Sequence, residues 1–221
     1  MATPPRLISL LAQFDFARKR LADRMAGPEG DSGNGVSIEI PGMTDEEYLW
    51  EPVPDCWSVR LRAAGPGPGA TVLVGAGEWG RDSARPSHPS PPPFTTIAWR
   101  LSHLSEMLTL RADHTIGRHA LTRDGYRSSG DAAGALAAFG SGAEAWRMAL
   151  VSADDVALDT VGRSTYPDGS DQTIPSSRLS GGLIRNCCTT GQRSPCCAIS
   201  TAHGIVEFVS PRTQSAQARY T

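Results

Sequence analysis

Residues 94–117, FTTIAWRLSHLSEMLTLRADHTIG, form the clearest helical pattern in the chain. Apolar side chains recur there every three or four residues along one stripe, and a second stripe runs beside the first. The first stripe consists of Ile97, Leu101, Leu104 and Leu108. The second consists of Trp99, His103, Met107, Leu110 and His114. A helix with two adjacent apolar stripes is buried on more than one side, which is typical of a helix bundle.

Two more long helices are predicted, one on each side of this segment. Residues 6–26 place apolar side chains at helical spacing between charged ones. A helix from Asp131, as the N-terminal cap, to about residue 152 shows the same period. The apolar positions of the second of these are Leu136, Phe139, Ala143, Trp146 and Leu150. Both patterns describe amphipathic helices that pack one face against a core.

The segments between the helices are predicted to be mostly irregular. Residues 27–35 are rich in glycine and predict a loop. Thr44 and Glu47 have the spacing of a capping box, which predicts a short helix after Thr44. Residues 61–93 contain so many glycines and prolines that we expect an irregular excursion with at most a small hairpin. The Gly75–Gly80 stretch resembles a dinucleotide-binding motif, but no helical pattern follows it, so we interpret it as a turn.

Composition excludes several classes of function. The chain has 221 residues with 21 basic and 23 acidic side chains, a balance that provides no broad positive field for nucleic acid. No apolar run approaches the roughly 18 residues that span a bilayer, and the N-terminus lacks the pattern of a secretory signal. We therefore expect a soluble, cytoplasmic protein that binds neither nucleic acid nor membranes.

Three short blocks together resemble the DinB-like superfamily, which includes bacterial thiol-dependent transferases and mycothiol-dependent isomerases. They are EYLWEPVP at residues 47–54, CWSVR at residues 56–60 and IAWRLSHL at residues 97–104. The resemblance covers about residues 6–175. It implies an all-α fold, an up-down four-helix bundle, for which the three long helices above supply three members.

The same resemblance implies a divalent metal, zinc or nickel, that acts as a Lewis acid on a bound thiol or water. In that family one histidine of the second long helix and a pair of ligands four residues apart on the last helix commonly hold the ion. His103 matches the first position. A low-molecular-weight thiol or another small molecule would be the substrate. The chain could also form a homodimer. The sequence identifies no catalytic residue.

A metal site with His103 alone would be incomplete, because zinc and nickel need at least three well-placed donors. His114 lies eleven residues further along the same helix, roughly 16 Å away at 1.5 Å per residue, which is too far to share an ion. Glu106, one turn from His103, is the nearest donor of the right kind. His103 with Glu106 is thus a two-ligand fallback.

The last helix of the family has no helical counterpart after Pro175, where the sequence loses all sustained period. The adjacent cysteines suggest a reason. A cysteine codon is TGT or TGC, so the reading frame that starts on the last base of each codon reads TTG or CTG, leucine, at three junctions: Asn186/Cys187, Cys187/Cys188 and Cys196/Cys197. With suitable codons this frame encodes a helix that contains a ligand-like HHGAEI segment. We hypothesise a one-base frameshift near codon 176, which divides the chain into a bundle domain, 1–175, and a non-native or disordered tail, 176–221.

Two other interpretations remain open. Cys187, Cys188, Cys196 and Cys197 could form a zinc thiolate cluster, although adjacent cysteines turn both sulfurs inward poorly. His103 could be a hydrogen-bonded core residue, since a single histidine on an apolar face is commonly structural. The chain would then be a non-enzymatic helical bundle that binds a protein partner or a small apolar ligand.

Overall fold

The computed structural model describes residues 4–27, 29–31, 37–39, 41–86 and 89–166, and helices dominate them. In chain order they are α1 (Pro5–Ala26), α2 (Asp45–Leu49), α3 (Ile97–Ile116), α4 (Ala132–Val151) and α5 (Asp155–Asp159). A 3-10 turn occupies Arg62–Ala64. The helical fold and the three long helices that the sequence predicts are confirmed.

Helices α2 to α5 each begin at a residue whose side chain satisfies a free amide. Thr44 and Glu47 form the predicted capping box at the start of α2. The side chains of Thr96 and Asp131 accept hydrogen bonds from backbone amides in the first turns of α3 and α4. Asp154 does the same for α5, a short helix that the sequence pattern did not indicate. Side-chain caps therefore fix where these four helices start.

The core lies between the three long helices. Helix α4 contacts α3 most extensively and also contacts α1. The buried residues of α1 include Leu7, Phe14, Leu21 and Met25, and they meet a cluster that contains Leu101, Leu104, Leu108, Phe139 and Trp146. Small residues let α3 and α4 approach closely, since a Cβ at Gly142 would lie 2.7 Å from Thr109 Oγ1. A fourth long helix is not among the described residues.

A small β component corrects the all-α expectation. Strands β1 (Glu29–Asp31) and β2 (Ser37–Glu39) pair as an antiparallel hairpin where the sequence predicted a loop. Strands β3 (Val59–Leu61), β4 (Val72–Val74) and β5 (Trp79–Ser83) form an antiparallel sheet in the order β3-β5-β4. Strands β4 and β5 form the small hairpin that the interpretation of residues 61–93 allowed, but the sequence did not indicate that β3 joins them as a third strand. Strands of three residues are too short to show a period of two in the sequence.

The sequence predicted no membrane-spanning segment and a separate C-terminal tail. None of the helices among the described residues combines the length and the apolarity that crossing a membrane requires. The predicted tail, residues 176–221, and its four cysteines lie outside the described residues. The division at residue 175 therefore stays a prediction.

Candidate functional site

His103 lies in the second turn of α3, within a row of stacked side chains. Its ring centroid is 4.9 Å from that of Trp99, one turn earlier, with the planes tilted by 37°. The guanidinium of Arg81, on β5, lies over the Trp99 ring at 5.0 Å from its centroid. Trp57 is 6.3 Å from Trp99, also tilted. Strand β5 therefore brings a cation against the helix that carries the candidate ligand.

Asp82 fixes this contact between the sheet and α3. Its buried carboxylate accepts hydrogen bonds from the Ser58 amide at 2.9 Å, from Arg60 Nε at 2.8 Å and from the Gly67 amide at 2.8 Å. Its backbone carbonyl accepts from Trp99 Nε1 at 2.8 Å. Because one residue holds the loop, the sheet and the helix, the position of Trp99 beside His103 is set by β5.

Glu106 is buried and bonded on both of its carboxylate oxygens. Oε2 accepts from Arg81 Nη2, and the two side chains are 2% and 1% exposed. Oε1 accepts from Arg123 Nε at 3.1 Å and from the Tyr166 hydroxyl at 3.3 Å. Three donors and two positive charges converge on one carboxylate, which leaves it unsuited to a divalent cation. The structure therefore does not favour the expectation that Glu106 joins His103 as a second metal ligand, because the carboxylate would have to leave these partners.

The carboxylate controls the protonation of its neighbours. Burial is the largest single influence on the pKa of Arg123 and would lower it, but the charge and hydrogen bond of Glu106 together with the charges of Tyr166 and Asp124 outweigh burial, so the pKa is raised overall. Burial raises the pKa of Tyr166, and the adjacent negative charge of Glu106 raises it further. The phenol therefore stays protonated and donates to Glu106 at every physiological pH. With two guanidinium groups and one carboxylate, the cluster of Arg81, Glu106, Arg123 and Tyr166 carries one net positive charge.

His114 takes no part in this cluster. At the other end of α3, its Nε2 lies 2.8 Å from the carbonyl oxygen of Leu121 and its Nδ1 lies 3.1 Å from Thr165 Oγ1. The carbonyl can only accept, so Nε2 carries a proton and donates. The ring of His119 lies 5.7 Å from that of His114 and contacts the same threonine at 3.1 Å. The expectation that His114 cannot complete a site with His103 agrees with this placement.

The described residues do not fit the metal that the resemblance implies. No group of three or more histidine, cysteine, aspartate or glutamate side chains in this part of the chain is arranged to hold an ion. His103 is the one predicted ligand among them, and its carboxylate neighbour is bound by arginines. Cys56 is buried beside Trp57, and burial raises the pKa of its thiol, so it is not poised as a thiolate ligand.

Sequence reasoning missed four side chains at the centre of this arrangement: Arg81, Asp82, Arg123 and Tyr166. They are 15 to 60 residues from their partners along the chain. No local period connects such positions. One signal was available. Val72–Val74 indicates a strand, and the charged pair Arg81 and Asp82 follows it closely; charged residues in such a buried region need partners.

A family model described as the DinB superfamily matches residues 39–177, more than half of the chain. The match includes all three blocks on which the sequence resemblance rested. It therefore confirms that resemblance. No curated protein and no solved structure matches the chain.

Proposed function

Because the chain belongs to the DinB superfamily, we propose that it descends from metal-dependent members of that family and that His103 is the one ligand its helical body contributes. In the ancestral protein the ion would have served a thiol-dependent transferase or hydrolase. In this chain metal binding is impaired. The observation that carries the proposal is the engagement of Glu106 by Arg81, Arg123 and Tyr166, which removes the one donor next to His103.

A complete site needs donors from outside the described residues. Beyond Tyr166 the sequence contains one histidine, His203, which lies four residues before Glu207. A pair at this spacing shares one face only if the segment is helical. The frameshift hypothesis instead assigns the missing ligands to the other reading frame. The proposal for this chain is that His203 and Glu207 do not bind the ion with His103.

The test is the metal content of the purified full-length protein after dialysis against zinc and against nickel, measured by mass spectrometry of the elements. The variants are His103→Ala and His203→Ala, with His119→Ala as the matched control because that side chain is exposed and bonded to Thr165. We expect less than one ion per folded chain, unchanged in all three variants. Stoichiometric metal that is lost in both His103→Ala and His203→Ala would contradict the impairment.

The competing class is a non-enzymatic bundle in which His103 is a core residue stacked on Trp99. The two hypotheses differ in what they predict for substitutions at His103. If His103 has only a packing role, His103→Ala destabilises the fold and His103→Gln restores most of the loss. If it is a residual ligand, a weak nickel-induced change in the fluorescence of Trp99 disappears in both variants. The second result supports metal-binding ancestry, and the first supports the alternative.

A further inference from the structure

A small cavity lies between α3, α4, α5 and the segment after α5, far from His103. It has a volume of about 10 Å³. Its wall is mainly apolar and includes Leu150 and Leu158. Three polar residues also line it, namely Trp146 from α4 and Arg163 and Ser164 from the segment after α5. Thr115 is at its edge, but the hydroxyl of Thr115 donates to the Arg111 carbonyl at 2.6 Å.

Each of the three polar residues brings a buried atom that has no hydrogen-bond partner among the described residues. They are Trp146 Nε1, Arg163 Nη1 and Ser164 Oγ. Trp146 is 2% exposed and Ser164 is 1% exposed. Arg163 uses its other terminal nitrogen, Nη2, in a bond to Ser152 Oγ at 3.3 Å. An unpaired buried donor is unfavourable, and three around one cavity point to a common partner.

The chemistry of the three groups restricts that partner. The indole and guanidinium nitrogens only donate, whereas the serine hydroxyl can donate or accept. The partner must therefore accept at least two hydrogen bonds. Size restricts it further, because roughly 10–15 Å³ is the smallest cavity that holds one water molecule, and such waters typically make about three hydrogen bonds. A chloride ion also accepts from donors, but it is larger than water and does not fit as well.

We propose that this cavity is a binding site for a single ordered water molecule. The water accepts from Trp146 Nε1 and Arg163 Nη1 and donates to Ser164 Oγ. It thereby joins α4 to the segment after α5.

Two measurements on the full-length protein test this site together. In ¹⁵N-edited spectra, the indole N–H of Trp146 should show a nuclear Overhauser effect to a long-lived water. In thermal unfolding, Ser164→Ala should lower the melting temperature by about 2–4 °C, because a hydrogen bond is lost. If the hydroxyl is instead unpaired, alanine removes an uncompensated polar group and the melting temperature rises. The proposal requires both results, and the failure of either overturns it.

Thr115→Val is the matched control, because it removes a hydroxyl from the cavity edge that is already bonded to a carbonyl. The Overhauser effect at Trp146 should survive in this variant. Sodium chloride and sodium acetate at equal ionic strength distinguish the occupant. Equal melting temperatures in the two salts agree with water, whereas a chloride-specific rise would assign the site to an anion and overturn the proposal.

Discussion

At the residue scale, Glu106 connects the sheet, α3 and the segment after α5. It is buried on α3 and accepts from Arg81 on β5, from Arg123 in the connection to α4 and from Tyr166. A buried ion pair adds little net stability against an apolar replacement, but breaking it leaves an uncompensated charge. Removing the charge of Glu106 is therefore the substitution to which the site should respond most strongly.

We predict that Glu106→Gln lowers the free energy of unfolding by about 3–5 kcal/mol. The glutamine has the same shape but no charge to balance the buried guanidinium of Arg81. Urea unfolding followed by tryptophan fluorescence measures the change. Asp15→Asn is the control, because the Asp15 pair with Arg147 is about a third exposed on both sides, and its loss should be below about 1 kcal/mol. Equal effects of the two substitutions would contradict the account.

Three tyrosines predict a loss of stability at alkaline pH: Tyr48 and Tyr166 are buried and Tyr126 is half-buried. Burial raises the pKa of Tyr126 to about 12, against an opposing hydrogen bond with Ser105. Burial also raises the pKa of Tyr48 and Tyr166. In the unfolded chain a tyrosine ionises near pH 10. Above that pH the unfolded state releases protons that the folded state retains, so stability is complete below pH 10 and falls as pH rises.

The expected slope above pH 10 is up to about 1.4 kcal/mol per pH unit for each of these tyrosines. Urea unfolding at pH 9, 10 and 11 measures it. Tyr126→Phe should reduce the slope by about a third, since it removes one of three such groups. A free energy of unfolding that does not change between pH 9 and pH 11 would show that these phenols ionise freely in the folded state.

At the scale of elements, the interface between α3 and α4 organises the bundle. Gly142 of α4 lies at the closest approach, where a Cβ would be 2.7 Å from Thr109 Oγ1 and 3.1 Å from the Ser105 carbonyl oxygen. Gly140, on the same helix, is exposed, and no atom of the described residues lies within 4 Å of such a Cβ. Substitutions at the two glycines therefore distinguish the effect of packing between helices from the effect of helix propensity.

Gly142→Ala should destabilise the protein by about 1–3 kcal/mol, because the added methyl pushes the two helices apart. Gly140→Ala should stabilise it by about 0.5–1 kcal/mol, because alanine favours the helix without a new contact. Thermal and urea unfolding of both variants check the opposite signs. If both substitutions stabilise the fold, α3 and α4 are not packed as closely as the structure shows.

The elements also show what the sequence could and could not reveal. Helices α1, α3 and α4 are each about twenty residues long, so their apolar period repeats five times and was predicted almost to the residue. The cap of α2 was visible because a capping box is local. The sheet was missed because β3 pairs with β5 although β4 lies between them in the sequence. Tertiary contacts, which no local pattern reveals, set such a register.

At the scale of the whole molecule, the family resemblance placed His103 on the correct helix but could not reveal its surroundings. The partners of Glu106 come from a strand and two loops, so no spacing rule connects them. Among the described residues, no group of donors is arranged to hold an ion with His103. The central proposal is therefore that the ion-binding capacity of this fold resides in a final helix encoded in another frame.

The most direct test compares two full-length proteins that are identical up to residue 175. One continues with residues 176–221 of the present chain, and the other is re-read in the shifted frame from codon 176 of the gene. Calorimetric titration with zinc and with nickel should give one bound ion per chain for the re-read protein, abolished by His103→Ala, and no saturable binding for the present chain. Saturable binding of one ion by the present chain, or binding by the re-read protein that survives His103→Ala, would contradict the account.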